Sequence, residues 1–519
     1  MKKRVALLLV MALLVTTFLP GCGAKDEPVT KSDTSTASGT TTANALPEVK
    51  LVMYLVGDAQ PDAGLVYDEV NKKLQKDINT TVQPKYLAWA DWQKKYSLIF
   101  ASGEEFDCIY TADWALYADQ STKNAFMELN QDMVKKNMPE YYKEVPETWW
   151  NQLKIQNKIF MIPYLNPQVV GHEMVFIRGD IREKYNLPEV KTVDDFDNYL
   201  LTIAKNEKLM KGYDGQPGTL LRLVNKIYYK QPKNLYFFNV NPSVFTAKLD
   251  DPEGKVMYAL DDPDYLAALK RTKKLADAGV WSKNILSTKT LERENIKAGK
   301  SAFEVNQSDA AIYFVNDMNT LHPEWKPEVV DLSPDKIHES SAPTRSGLAI
   351  NAKSKNAERV MMMMNLFGTN REYYDLTTYG ISGKHFEPIG DRKIKVLEEG
   401  VKKFSPKTNC PWGWERTEFM RFPDNVPDSI VNNDANWIKN GLASTTPLIS
   451  FTFVDTKVKN EVAACDNLFS MRGMALITGQ LKDTEGELAK LKADLKKAGV
   501  EKIQAELQKQ VTEYMNTFK

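Results

Sequence analysis

The apolar residues between Glu48 and Tyr110 change period several times, and that alternation limits the folds open to this chain. Val49, Leu51, Met53 and Leu55 occupy one face of a short run, with Val52 and Tyr54 on the other. Val66, Val70, Leu74 and Ile78 then recur at helical spacing. Thr80 to Leu87 reads as a second strand, Trp92 to Ala101 as a second helix, and Asp107 to Tyr110 as a third short strand. Strands alternating with helices through short loops predict an α/β fold built on a parallel sheet flanked by helices. Such sheets hold ligands beyond the carboxyl ends of their strands. Here those ends are Gly57-Asp58, Trp89 to Trp92, and Tyr110 to Trp114.

At 519 residues the chain exceeds one ordinary domain. Apolar residues at 43% and charged residues at 26% exclude wholesale disorder and a polytopic membrane protein. Lys plus Arg and Asp plus Glu both total 68, which argues against a nucleic-acid partner, because such a partner demands a basic surface.

The first residues address the chain to the outside of the cell. Lys2, Lys3 and Arg4 precede an apolar run from Val5 to Leu19, too short to span a bilayer but suited to a secretory signal. Leu19-Pro20-Gly21-Cys22 resembles a bacterial lipoprotein box, so residues 1–21 are expected to be a signal peptide and Cys22 to carry lipid. Residues 22–47, rich in Ser, Thr, Ala and Gly, should form a flexible tether. The expected location is the extracellular face of the cytoplasmic membrane, Gram-positive in type.

Catalytic motifs are absent. The sequence has no Gly-x-Ser-x-Gly elbow, no His-Glu-x-x-His and no Cys-x-x-Cys. Ala298-Gly299-Lys300-Ser301 resembles the end of a phosphate loop but precedes a strand, so Gly299 reads as a helix C-cap. Asp250 to Gly254 and Asp261 to Asp264 lack the ligand spacing of an EF-hand and read as a turn and a helix N-cap. His172, His322, His338 and His385 are scattered, as are Cys22, Cys108, Cys410 and Cys465. No catalytic residue, cofactor or metal-ligand set is assigned, and a Cys410–Cys465 disulfide is left open.

A co-linear series of phrases follows: Asn157 to Tyr164, Met174 to Asp180, Val190 to Phe196, Ile296 to Asn306, Ser346 to Ile350, Ser354 to Phe367 and Tyr379 to Phe386. Together they resemble the extracellular solute-binding proteins of ABC importers, in the carbohydrate-handling branch. Val458 to Glu461, Ala498 to Val500 and Gln508 to Gln510 resemble the extra C-terminal region of a Gram-positive lipoprotein subgroup. The resemblance implies a two-lobed clamp, each lobe a helix-flanked, mainly parallel sheet. Crossings are expected near Ile162 to Leu165, Glu304 to Gln307 and Thr344 to Gly347. Lobe 1 would comprise 48–163 and 304–344, lobe 2 164–303 and 345–450, with 451–519 a helical region packed on the lobes. In that region Leu488, Leu491, Leu495 and Ala498 form one stripe, and Ile503, Leu507, Val511, Tyr514 and Phe518 another.

The implied function is capture of a carbohydrate, in particular an oligosaccharide, by a monomeric lipid-anchored receptor that delivers it to permease subunits. A secreted carbohydrate-active hydrolase or lyase, and a sugar-sensing surface adaptor, are the competing classes. Sugars present apolar C–H faces ringed by hydroxyls, so their pocket needs flat aromatic side chains and hydrogen-bonding partners. Asp58, Trp89, Asp113 and Trp114 follow strands; Tyr164 and Asn306 flank expected crossings; Trp412, Trp414 and Arg416 lie in the Pro411 to Arg416 segment. These nine are the candidate ligand contacts, with Trp114, Trp412 and Trp414 expected to stack.

Overall fold

The structure, a computed structural model, describes residues 46–166, 170–444 and 446–517. The signal segment, Cys22, the tether as far as residue 45, and Phe518 lie outside the described residues.

The first sheet has five strands, in the order Thr80–Leu87, Val49–Val56, Cys108–Thr111, Gly347–Ile350 and Ile162–Pro163. Val49–Val56 runs parallel to both neighbours, pairing Val49 with Thr80 and Met53 with Cys108. The Ala63–Ile78 helix between the first two strands buries Val66, Tyr67, Val70 and Leu74 and ends at Asn79 in the left-handed conformation. The Trp92–Ser102 helix buries Trp92, Tyr96 and Ile99. Gly347–Ile350 enters antiparallel between Cys108–Thr111 and Ile162–Pro163. Gly347 is required there, because a Cβ would meet the Ile162 carbonyl oxygen at 2.2 Å.

The second principal sheet, Phe303–Gln307, Glu173–Arg178 and Pro327–Val330, is antiparallel throughout, where a mainly parallel one was expected. Strand pairing also exchanges two segments of the expected division. Residues 303–307 pair with 173–178 rather than joining the first sheet, and 347–350 join the first sheet rather than the second. The chain thus passes between the sheets after Pro163 and again between Val330 and Gly347, and the passage expected at Glu304 to Gln307 is instead a strand of the second sheet. Periodicity reports which faces a strand buries and leaves its partners unspecified, so these exchanges were not legible.

Two large apolar cores follow this partition. One joins the first sheet to Met361, Met363, Met364 and Phe367 of the Ala357–Thr369 helix, and to Cys410 and Trp414. The other joins Val175, Ile177, Phe303 and Val305 to the C-terminal helices. Cys410 and Cys465 lie in different cores as free thiols, so no disulfide links them.

The tail helices Thr484–Ala498 and Val500–Asn516 turn at Gly499, whose φ of 100° lies in the left-handed region. They bury Leu488, Leu491 and Leu495, then Ile503, Leu507 and Val511, against the second core. Polar bonds fix the register: the Val256 N–H donates to Gln508 Oε1 at 2.7 Å, and Trp281 Nε1 donates to the Thr478 carbonyl at 2.9 Å. Local readings hold as well. Thr192 and Asp195 cap the Val193–Asn206 helix reciprocally, Gly299 sits at φ 70°, and Asp262 caps the Pro263–Asp277 helix. Among the described residues no helix is long and apolar enough to cross a membrane.

Candidate functional site

Three loops that leave the first sheet, together with the Pro411–Trp414 turn, build one aromatic surface. Gly57 follows the first strand at φ 130° and donates its N–H to Leu87 O at 2.8 Å, which carries Asp58 toward the loop after the second strand. There the Asp58 carboxylate accepts a backbone hydrogen bond from Trp89. The Trp89 indole stacks on Trp114 with centroids 6.1 Å apart and planes at 26°, and on Trp412 at 6.3 Å and 25°. Trp92 meets Trp114 edge-on at 5.6 Å. Trp89, Trp114 and Trp412 all remain partly exposed. Trp114 Nε1 donates to the Arg345 carbonyl at 3.1 Å, whereas the buried Trp412 Nε1 has no partner among the described residues.

Carboxylates border this surface. Burial holds the Asp58 carboxyl above its ordinary range; the Trp89 N–H opposes that, and the charge of Glu294 adds to it. Burial likewise pushes Asp113 up to about 6, against the pull of the nearby Arg345 guanidinium. The Asp113 N–H donates to Thr344 O at 2.7 Å, so the third strand's loop is tied to the segment entering Gly347–Ile350. Arg345 also faces Tyr164, Asp309 and Glu339. Tyr164 is buried, donates to Ala342 O at 3.3 Å and lies 6.0 Å from Trp149 with planes at 29°.

Opposite charges continue along the crossing strand. Glu339 pairs with Lys230 at 2.5 Å. Lys226 and Lys230 project from Leu223–Lys230, a widened π-helical stretch of a kind often found at functional sites. Burial, reinforced by Lys230, lowers Lys226 to about 8.

The candidate set divides on these observations. Trp89, Trp114, Trp412, Asp58 and Asp113 gather around one surface, with Tyr164 linked to it through Arg345. Asn306 lies on the second sheet, where Nδ2 donates to Glu304 at 2.6 Å and Oδ1 accepts from Arg222 at 2.9 Å. Trp414 has 0% exposure, donates Nε1 to Thr377 Oγ1 at 3.0 Å and packs on Phe367, so it cannot offer a face to a ligand. The Pro411–Trp414 turn is a 3₁₀ helix, and residues two apart on a three-residue turn point in different directions. Arg416 is engaged by Glu144 at 3.2 Å and Glu418 at 3.0 Å, with its guanidinium over Phe419. Trp414 is therefore a core position, and the Arg416 guanidinium is already paired. Trp149, Arg345, Lys226, Lys230 and Glu339, which adjoin Tyr164, Asp113 or one another, were not among the candidates. Only Arg345 carried a sequence signal, its place at an expected crossing.

The profile of the bacterial extracellular solute-binding proteins matches residues 59–371. Residues 447–516 match a domain of unknown function, DUF3502. A carbohydrate ABC transporter substrate-binding protein of Streptococcus pneumoniae is 24% identical over 481 residues, 90% of this chain and 91% of its own. The N-glycan transport solute binding protein NgtS of Streptococcus pneumoniae, crystallised with Man1GlcNAc, superposes with a TM-score of 0.75 at 21% identity, over 90% of this chain and all of that one. An extracellular solute-binding protein of Bifidobacterium longum subsp. infantis gives 0.62 at 15% identity, over 92% and 100%. With its strand-end aromatic surface, its sheets and its profile match over more than half its length, this chain belongs to the bacterial extracellular solute-binding protein family.

Proposed function

We propose that this protein is a lipid-anchored, monomeric receptor that captures an oligosaccharide and hands it to the permease subunits of an ABC importer. The observation that carries the reading is the Trp89–Trp114–Trp412 surface, edged by Asp58 and Asp113. Stacked indoles match the C–H faces of sugar rings, and the two carboxylates match their hydroxyls. The two apolar cores correspond to two lobes, and the passages after Pro163 and after Val330 supply the crossings about which they close on ligand. Cys22 holds the receptor at the outer surface of the membrane.

A screen of the purified chain against an oligosaccharide array that includes mannose–GlcNAc glycans, followed by calorimetry, tests the proposal. Saturable binding with recovery of the intact sugar is expected. Turnover of the bound sugar would replace the receptor reading by the hydrolase or lyase one, and absence of any carbohydrate binding would remove both.

A further inference from the structure

A second cluster of chemically capable side chains lies away from the tryptophans, where the second sheet meets a crossing pair. His172 sits between Val170–Gly171 and Glu173–Arg178, and His338 immediately precedes Glu339–Ser340, which pairs antiparallel with Val170–Gly171. Asp331 follows Pro327–Val330, whose Val330 is paired with Val175. His172 is distant in sequence from the other two; strand pairing brings it to Asp331 and His338, which stand at the two ends of the 331–338 connection.

His172 Nε2 lies 2.7 Å from Asp331 Oδ1, and His172 Nδ1 lies 2.6 Å from His338 Nδ1. Among the described residues these three form the one group of histidine and acid side chains whose donor atoms all fall within 4.8 Å of one another. A tetrahedral ion with bonds of about 2.0–2.1 Å separates its ligand atoms by roughly 3.3 Å. His172 can give it one ring nitrogen only, and the hydrogen-bonded contacts must open slightly to admit it, within the 4.8 Å that encloses one ligand atom from each residue. The two imidazoles are 2% and 1% exposed, and Trp437 covers them with its ring centroid 5.1 Å from His172 and 4.3 Å from His338.

A hydrogen-bonded Asp331–His172–His338 chain alone leaves the site incomplete. His338 Nε2, Asp331 Oδ2 and Gln231 Oε1 are buried without partners among the described residues. Gln231 directs its carboxamide at His172, with Nε2 2.7 Å from Nδ1 and 2.8 Å from Nε2. Buried polar atoms without partners on side chains that contact one another call for a ligand that can satisfy them. The adjacent Lys230 charge is taken up by Glu339.

We propose that His172, Asp331 and His338 bind a divalent transition-metal ion of the zinc class, with a fourth position open to Gln231 or water. Two imidazoles and one carboxylate suit zinc, cobalt or nickel and disfavour calcium and magnesium, which take oxygen donors.

The test uses the full chain stripped with chelator and titrated with Co2+, then Zn2+. One equivalent of Co2+ is expected to give the visible absorption of a tetrahedral site, and Zn2+ to displace it. Asp331→Asn, which keeps side-chain shape, and His338→Ala should each weaken binding at least tenfold, while His322→Ala, stacked on Trp325 elsewhere, should leave it unchanged. Folding of every variant is checked by circular dichroism, and titration of the unmodified chain tests the site without any substitution. A folded, unmodified chain that takes up no Co2+ and no Zn2+ would overturn the proposal. So would equal binding by Asp331→Asn and the unmodified chain.

Discussion

The indole of Trp89 stacks on those of both Trp114 and Trp412, 6.1 Å from one and 6.3 Å from the other, although the three belong to separate segments. Trp89 touches both of its neighbours, so its removal should disturb the surface more than removal of either flank. Trp89→Ala is expected to weaken sugar binding roughly 10- to 100-fold with little change in Tm, measured by fluorescence titration and calorimetry.

Trp414 gives the contrasting outcome. It is fully buried against Phe367 and bonded to Thr377, so Trp414→Ala should cost about 3–5 kcal/mol of stability. A denaturant melt that shows no loss would contradict its core position. Trp414→Phe, which keeps most of the volume, should bind sugar as the unmodified protein does.

Asp113 makes stability depend on pH in an unusual direction. Its folded pKa, about 6, stands above the ordinary 3.8, so between those values the folded chain holds a proton that the unfolded chain has released. Stability from this group is present below the ordinary value and is lost as pH rises through about 6. Asp113→Asn mimics the protonated form, so its Tm advantage over the unmodified protein should be largest near pH 7 and shrink toward pH 4. A difference that is flat with pH would show that Asp113 does not titrate there.

The C-terminal helices belong to the second core. Leu507 is fully buried in it, and Leu507→Ala should cost about 2–5 kcal/mol and lower the Tm by several degrees. An unchanged melt would mean that the Val500–Asn516 helix is not part of the cooperative unit.

Cys22→Ser tests the anchor. The variant is expected in the culture medium rather than in the membrane fraction, followed by immunoblot of both. Retention in the membrane would rule out lipid attachment at this cysteine.

Local period and capping chemistry were legible without the fold. The Val49–Val56 and Thr80–Leu87 strands, the helix between them, the Thr192–Asp195 capping box, the Gly499 turn and the two tail stripes follow from spacing and residue type along a short stretch. The position of Asp58, Trp89 and Trp114 after parallel strands was legible for the same reason, since strand ends in a wound sheet converge. Partnership across the chain was decided only by the tertiary structure. Phe303–Gln307 and Gly347–Ile350 are strands in either arrangement, and whether each joins the first or the second sheet depends on residues far away in sequence. The same holds for side chains two residues apart: Trp412 joins the open aromatic surface while Trp414 fills the core, because a tight turn rotates one away from the other. The meeting of His172 with His338 has that origin too, since strand pairing rather than sequence spacing sets the distance between their rings.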